Sequence, residues 1–447
     1  MPHLKTNADR LWSTLIETAT IGGTSDGGIR RLTLSDEDRH VRDWFRDACV
    51  AAGCIVSVDE VGNMFAVRRG RRSDLPPIAI GSHLDTQPTG GKFDGILGVL
   101  AGLEIMRTLQ DAGYETESPL MLVNWTNEEG ARFAPAMLGS AIHAGLFDVV
   151  YTNERRDANG ITFREALDGI GYRGPLAAGS LPMAAMFELH IEQGPILERQ
   201  NKQIGIVTGI QGMRWYDVTV SGQSAHAGTT PLDMRRDALL GAARVVIGVE
   251  EIARAHAGLA TVGDIGVVDA SRNVVPGSVH LTVDLRHHSD QALETMEKAL
   301  EVLLNGIESV GCGITLQRIW EKPVVQFDAG CLTAIEQGVY QAEYSSMPIV
   351  SGAGHDSANI ATIAPTAMIF IPCRDGLSHN PAESATPEDC AAGAQVLLNA
   401  VLFYDEKTDA NVWRHREVSR SPGTQTLSRA VLDDADHLRI LRTTSRE

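Results

Sequence analysis

The chain has 447 residues, 43% of them hydrophobic, enough for a buried core spread over two or three domains. With 39 basic and 57 acidic side chains its formal charge is −18, which argues against nucleic acid or an anionic membrane as a partner but leaves room for a locally positive pocket. It contains no apolar run long enough to suggest a membrane span.

The opening segment, MPHLKTNADRLW, lacks the apolar centre and small-residue cleavage site of an export signal. Six cysteines, at 49, 54, 312, 331, 373 and 390, form no CxxC pair. We therefore expect a cytoplasmic protein with inert thiols.

Leu11, Leu15 and Ile16 recur at helical spacing and predict a helix over 7–19; Val41, Trp44, Phe45 and Ala48 predict another over 36–52. Short strands follow at CIVSV and MFAVR. Four apolar, β-rich runs then stand out: PPIAI (76–80), PLMLVNW (119–125), MAAMFEL (183–189) and PTAMIFI (365–371). Each ends in polar residues that include a His or Glu. Helical patterns lie between several of them, GILGVLAGLEIMRTL (95–109) among them. This is the pattern of an α/β protein with an open mixed sheet flanked by helices, whose ligands gather outside the carboxyl ends of the strands.

Between the third and fourth runs the pattern reads β-α-β-β-α-β, beginning at RWYDVTVSGQ (214–223) and ending at CGITLQRIW (312–320). That order predicts a ferredoxin-like α+β unit. The expected organisation is a catalytic domain in two parts, 1–209 and 326–405, with a domain inserted at 210–325. From 406 to 447 the chain is charged and aperiodic, and a loosely docked or disordered tail is expected.

The first polar strand end is GSHLDTQPTGGKFDGILG (81–98). A phosphate loop would need Ser or Thr after Lys92, where Phe93 stands, and Gly where Thr86 stands. Metal ligation suits the residues better: His83 and Asp94 offer an imidazole and a carboxylate, and Asp85 could orient His83 through its other ring nitrogen. The alternative is that Asp94 caps the following helix. After the second run, the adjacent Glu128 and Glu129 can divide labour, one binding metal and the other acting as general base and acid. After the third, HIEQGP offers His190, Glu192 and Gln193; after the fourth, PCRDGLSHNPAE offers His379. Three His, one Asp and one Glu suit two metals that share a bridging carboxylate.

Together GSHLDTQPTGGKFDG, TNEEGARFAPAMLGS, ELHIEQGPILE, SAHAGTTPLDMRRDAL, SGAGHDS and DGLSHNPAE resemble the hydantoinase/carbamoylase amidases of the di-zinc aminoacylase and carboxypeptidase superfamily. The resemblance runs in order over residues 10–405. ILERQNKQIGIVTG and SGAGHDS look most like the β-ureidopropionase type within that branch, beside the N-carbamoyl-L-amino acid hydrolases. The resemblance implies that His83, Asp94, Glu129, His190 and His379 are metal ligands, with Asp94 bridging. It makes Glu128 the catalytic acid/base and Asp85 the group that orients His83. His226, in SAHAGTTP, would reach the partner subunit's site and bind the carbonyl oxygen as charge develops. Asn273 and Arg286 would hold the substrate carboxylate, Gln193 would contact substrate, and His355, next to Asp356, would line the pocket.

Two divalent metals per subunit are implied, zinc first, with manganese, cobalt or nickel as alternatives. So are a homodimer joined through the inserted lid domain and a small ureido acid as substrate. The implied reaction cleaves the carbamoyl group of N-carbamoyl-L-amino acids or N-carbamoyl-β-alanine to amino acid, ammonia and carbon dioxide. Alternatives are an allantoate amidohydrolase, a dipeptidase or aminoacylase, and a non-catalytic protein that retains metal. His190, where the peptidase branches usually place an acid, weighs against the dipeptidase; an intact Glu128 weighs against the non-catalytic protein. The plainer readings are a turn histidine for His226, a surface charge for Arg286 and a turn-stabilising hydrogen bond for His355.

Overall fold

Four parallel strands form the middle of the larger sheet in the computed structural model, which describes residues 4–308 and 311–408. Ile78–His83 lies between Leu120–Trp125 and Ala185–Ile191, and Thr366–Ile371 lies beyond the last, all parallel. Every residue of these four strands is buried, which explains their near-continuous apolar sequences. Met64–Arg68 adds antiparallel to Leu120–Trp125, and Ile204–Ile210 adds antiparallel to Thr366–Ile371. The sheet is therefore mixed, with nine strands among the described residues. Helices Ile96–Asp111 and Pro387–Thr408 pack against the central strands and against each other.

The chain divides into two units: one runs to Gly209 and resumes at Gln326, and the other is Ile210–Val325. The second is a four-stranded antiparallel sheet in the order Gly313–Lys322, Gly212–Ser221, Ser278–His287, Leu259–Val267. Helices Ala238–Ala255 and Asp290–Glu308 contribute Val245, Val249, Leu300 and Leu304 to a core with Val218, Val220, Leu281 and Leu285. Alternation along Ser278–His287 buries Val279, Leu281, Val283 and Leu285 and turns Thr282, Asp284 and Arg286 to the opposite face. This strand order is that of a ferredoxin-like unit.

Three local expectations change. The first and third apolar runs extend as strands through His83 and Ile191, which places His83 and His190 on the strands themselves. Ile204–Ile210 and Ser346–Ser351 are strands whose short, glycine- or serine-rich sequences give no clear period. The last helix runs to Thr408, past the boundary expected at 405; the rest of the tail lies outside the described residues. All six cysteines are buried and unpaired. No helix among the described residues is long and apolar enough to cross a membrane.

One buried histidine belongs to the fold. His143 packs its ring against Trp125 and Phe65, with centroids 5.2 and 5.6 Å away. Burial pushes its pKa down to about 4. Below the ordinary pKa near 6.5 the unfolded chain binds a proton that the folded chain refuses, so stability is lost as pH falls from 6.5 towards 4, on the order of 2–3 kcal/mol. Chemical denaturation over this range should show the wild type losing more stability than His143→Leu. Parallel pH profiles would contradict the assignment.

Candidate metal centre and active site

The carboxyl ends of the four parallel strands bring five expected residues together. His83 and His190 end their strands side by side, with ring centroids 6.0 Å apart. His83 Nδ1 lies 2.9 Å from the Asp85 carbonyl, and His190 Nδ1 lies 2.9 Å from the Ile191 carbonyl. With Nδ1–H donated to those carbonyls, each Nε2 faces the site, and His190 Nε2 accepts the backbone N–H of Gly95 at 3.1 Å. The Asp94 carboxylate faces both: its Oδ1 is 3.5 Å from His83 Nε2 and 3.3 Å from His190 Nε2. Its Oδ2 is 3.7 Å from His379 Nε2, which in turn lies 3.5 Å from Glu129 Oε2. Among the described residues three groups have metal-ligand spacing: His83–Asp94–His190 and Asp94–Glu129–His379, which share Asp94, and Glu188–His190–His355. Imidazole and carboxylate donors around a shared carboxylate fit a pair of divalent ions.

Asp94 does not cap the helix that follows. Gly95 holds the N-cap position with φ +68°, and no side chain bonds the first helical amides. A Cβ at Gly95 would stand 2.3 Å from the His83 ring, so glycine is required by both backbone and space. The Asp94 carboxylate instead accepts Gln193 Nε2 at 2.7 Å and Ser378 Oγ at 2.9 Å.

Asp85 also differs from expectation. Its backbone carbonyl, not its carboxylate, takes the close bond from His83; the carboxylate is 3.8 Å from Nδ1. That carboxylate accepts the backbone N–H groups of Glu128 and Glu129, each at 3.3 Å. Asp85 thus docks the two-glutamate turn onto the histidine strand. Glu128 is buried, with Oε2 3.6 Å from His83 Nε2. Glu129 is held by the Gln87 backbone N–H at 3.1 Å and side-chain amide at 2.7 Å.

So many buried acids perturb one another. Burial first, then Asp356 and Glu129, push the Glu128 carboxyl well above its ordinary range against the pull of His83. Burial and Asp94 raise Glu129 to about 8. Burial works against charge on Asp94, but His190 and His83 outweigh it and hold the carboxylate well below its usual range. His83 keeps its proton more tightly than a free histidine: burial opposes this, and Glu128, Asp94 and Asp85 prevail.

The other expected residues are placed less directly. Gln193, at φ +57°, turns its amide onto Asp94 and Ser378. His355 is buried, 4.6 Å from the His190 ring between centroids, with Nε2 3.0 Å from Ser351 Oγ. Asp356 accepts a hydrogen bond from Ser140 at 2.5 Å and is pushed up to about 8 by burial and Glu188.

His226, Asn273 and Arg286 lie in the second unit. His226 pairs with Val274 in a two-stranded ribbon, which sets it beside Asn273. Its Nδ1 accepts the N–H groups of Gly228 and Thr229, at 3.0 and 3.2 Å. The turn role therefore holds, and this tautomer puts the proton on Nε2, as a donor. Arg286 bonds Asp284 through Nε and Nη2, at 2.9 and 2.8 Å, on a concave surface of about 550 Å³ that Trp215, Asp217 and Thr261 also line.

Sequence reading missed four polar residues that hold this arrangement. Gln87 braces Glu129, and Ser378 and Glu383 brace Asp94. Glu188, fully buried, accepts Ser82 Oγ at 2.7 Å and Ser357 Oγ at 2.5 Å, tying two strand ends to the turn after His355. A charged residue inside an otherwise apolar strand was the available signal for Glu188.

The sequence matches peptidase family M20/M25/M40 over residues 79–402. It is 46% identical over 401 residues to an N-carbamoyl-L-amino-acid amidohydrolase of Rhizobium meliloti, covering 89% of this chain and 96% of the relative. It is 39% identical over 403 residues to an N-carbamoyl-L-amino acid amidohydrolase of Geobacillus stearothermophilus, covering 88% and 97%. A solved hydantoinase/carbamoylase family amidase from Burkholderia multivorans superposes with a TM-score of 0.87 at 50% identity, covering 90% of this chain and 99% of that one.

In the metal-free protein at neutral pH, the protons favoured on His83 and Glu129 occupy ligand positions that a cation must take. Zinc binding should therefore release protons, and affinity should rise as pH goes from 6 to 8. Calorimetric titration in buffers of different ionisation enthalpy measures the release; a binding heat independent of buffer would contradict it.

Proposed function

Because the chain belongs to peptidase family M20/M25/M40 and, within it, to the hydantoinase/carbamoylase amidases, we propose that it hydrolyses the ureido group of N-carbamoyl-L-amino acids. One water and one substrate give the amino acid, ammonia and carbon dioxide. The observation that carries this reading is the pair of ligand groups sharing Asp94, with Glu128 beside them. Two divalent ions, zinc first, would be held by His83, Asp94 and His190 and by Asp94, Glu129 and His379. When bound, they supply Lewis acidity towards the ureido carbonyl and lower the pKa of water.

Glu128 then has the central proton task. Its carboxylate takes a proton from the attacking water and returns it to the leaving nitrogen. Burial gives it a high proton affinity, which suits a group that must hold a proton between two steps. Asp85 fixes the backbone of both glutamates, so Glu128 stays aimed while Glu129 stays a ligand. Arg286 and Asn273 are assigned to the substrate carboxylate; Arg286 would exchange part of its pairing with Asp284 for it. His226, with its proton on Nε2, would donate to the developing oxyanion.

A homodimer through the inserted unit is part of this reading. Helix Ala238–Ala255 exposes Leu240 and Ile247, and the neighbouring edge strand Leu259–Val267 exposes Leu259 and Ile265. An apolar helix face beside an open strand edge is a surface that self-association would cover.

Glu128→Gln should keep its full metal content and lose about 10²- to 10⁴-fold in turnover. Near-normal activity in that variant would remove Glu128 from its role. Ammonia release should be fastest from N-carbamoyl-L-amino acids in a panel with N-carbamoyl-β-alanine and allantoate. Preference for either of the latter would overturn the substrate assignment.

A further inference from the structure

Glu383 stands four residues after His379, in SHNPAE, and is 3% exposed. Its Oε1 accepts the backbone N–H groups of Phe93 at 3.0 Å and of Asp94 at 3.1 Å. Its Oε2 lies 3.3 Å from Ser378 Oγ, and that hydroxyl also reaches the Asp94 carboxylate. The turn that receives Glu383 is shaped for it. A Cβ on Gly91 would lie 2.2 Å from both Cδ and Oε1 of Glu383, so this carboxylate can reach the turn only across a glycine.

We propose that Glu383 is a positioning residue for Asp94. It fixes the backbone of the carboxylate that both ligand groups share, and it joins the loop bearing His379 to the loop bearing Asp94. Burying an acid is costly, and two backbone N–H donors on one oxygen offset that cost. The chain thus spends a buried carboxylate on holding a ligand's main chain while the ligand's side chain remains available. Loss of such a partner weakens metal binding because the ligand must then be ordered by the ion itself. The inference rests on the two-ion reading of the site.

The test uses the full-length, metal-free protein titrated with Co²⁺, with visible absorption reporting ligand geometry and bound cobalt counted directly. Glu383→Ala should weaken cobalt binding about 10- to 100-fold and alter the visible spectrum. Glu383→Gln should stay within a few-fold of wild type, because its amide oxygen can accept the same two N–H groups. Gly91→Ala should reproduce the alanine defect, since it pushes the carboxylate off the turn without removing it. Wild-type affinity and spectrum in Glu383→Ala would overturn the proposal. So would a Glu383→Gln protein as weak as the alanine variant, which would make negative charge the cause. If Glu383→Ala does not fold, the other two variants decide: Gln retained with Gly91→Ala weakened supports the role, and any other pattern overturns it. A wild-type protein that binds no cobalt would sink the two-ion reading and this proposal with it; normal wild-type binding with unaffected variants would sink this proposal alone.

Discussion

One buried carboxylate, Asp94, faces three histidines, and most of the local structure follows from keeping it there. Its two oxygens point to different partners, Oδ1 to His83 and His190 and Oδ2 to His379. Gly95 makes the backbone reversal that frees the carboxylate from the helix, while Gln193 and Ser378 hold its outer oxygen. Around it lie Asp85, Glu128, Glu129, Glu188 and Asp356, in a region with little solvent. Such a set of acids repels itself, and without a cation it is relieved by protons, as the raised pKa values of Glu129 and Asp356 indicate. Bound divalent ions would relieve the same repulsion, so the electrostatics and the ligand geometry call for the same occupant.

The parallel sheet explains how residues so far apart in sequence meet. Each parallel strand needs a crossover, so its carboxyl end opens into a fresh loop, and four adjacent strands deliver four such loops to one edge. His83 and His190 stand at the carboxyl ends of fully buried strands, and backbone carbonyls orient both rings through Nδ1. The remaining groups stand on the loops, where the Glu128 backbone hangs from Asp85 and the His379 loop is tied by Glu383 to the turn before Asp94.

Much of this was readable from the chain because two signals coincide. Short apolar runs mark buried parallel strands, and the polar residues that end them mark the site edge. His83, Asp94, Glu129, His190 and His379 all meet at that edge. The inserted unit was readable from its alternating strands and amphipathic helices, and its strand order follows the expected β-α-β-β-α-β sequence. What stayed hidden depended on main-chain geometry. Nothing in the sequence separates Asp85's carbonyl from its carboxylate as the partner of His83. A helix cap at Asp94 was equally reasonable until the left-handed backbone at Gly95 was visible. Glu383 is an acid in a loop by sequence; only folding places it on amides nearly three hundred residues earlier.

The most direct measurement is anomalous diffraction at the zinc edge from crystals of the zinc-loaded protein. Two peaks should appear, each about 2.0–2.2 Å from a different oxygen of Asp94, one also bound by His83 and His190 and the other by Glu129 and His379. A single peak, or two peaks that do not share Asp94, would contradict a centre organised around that carboxylate.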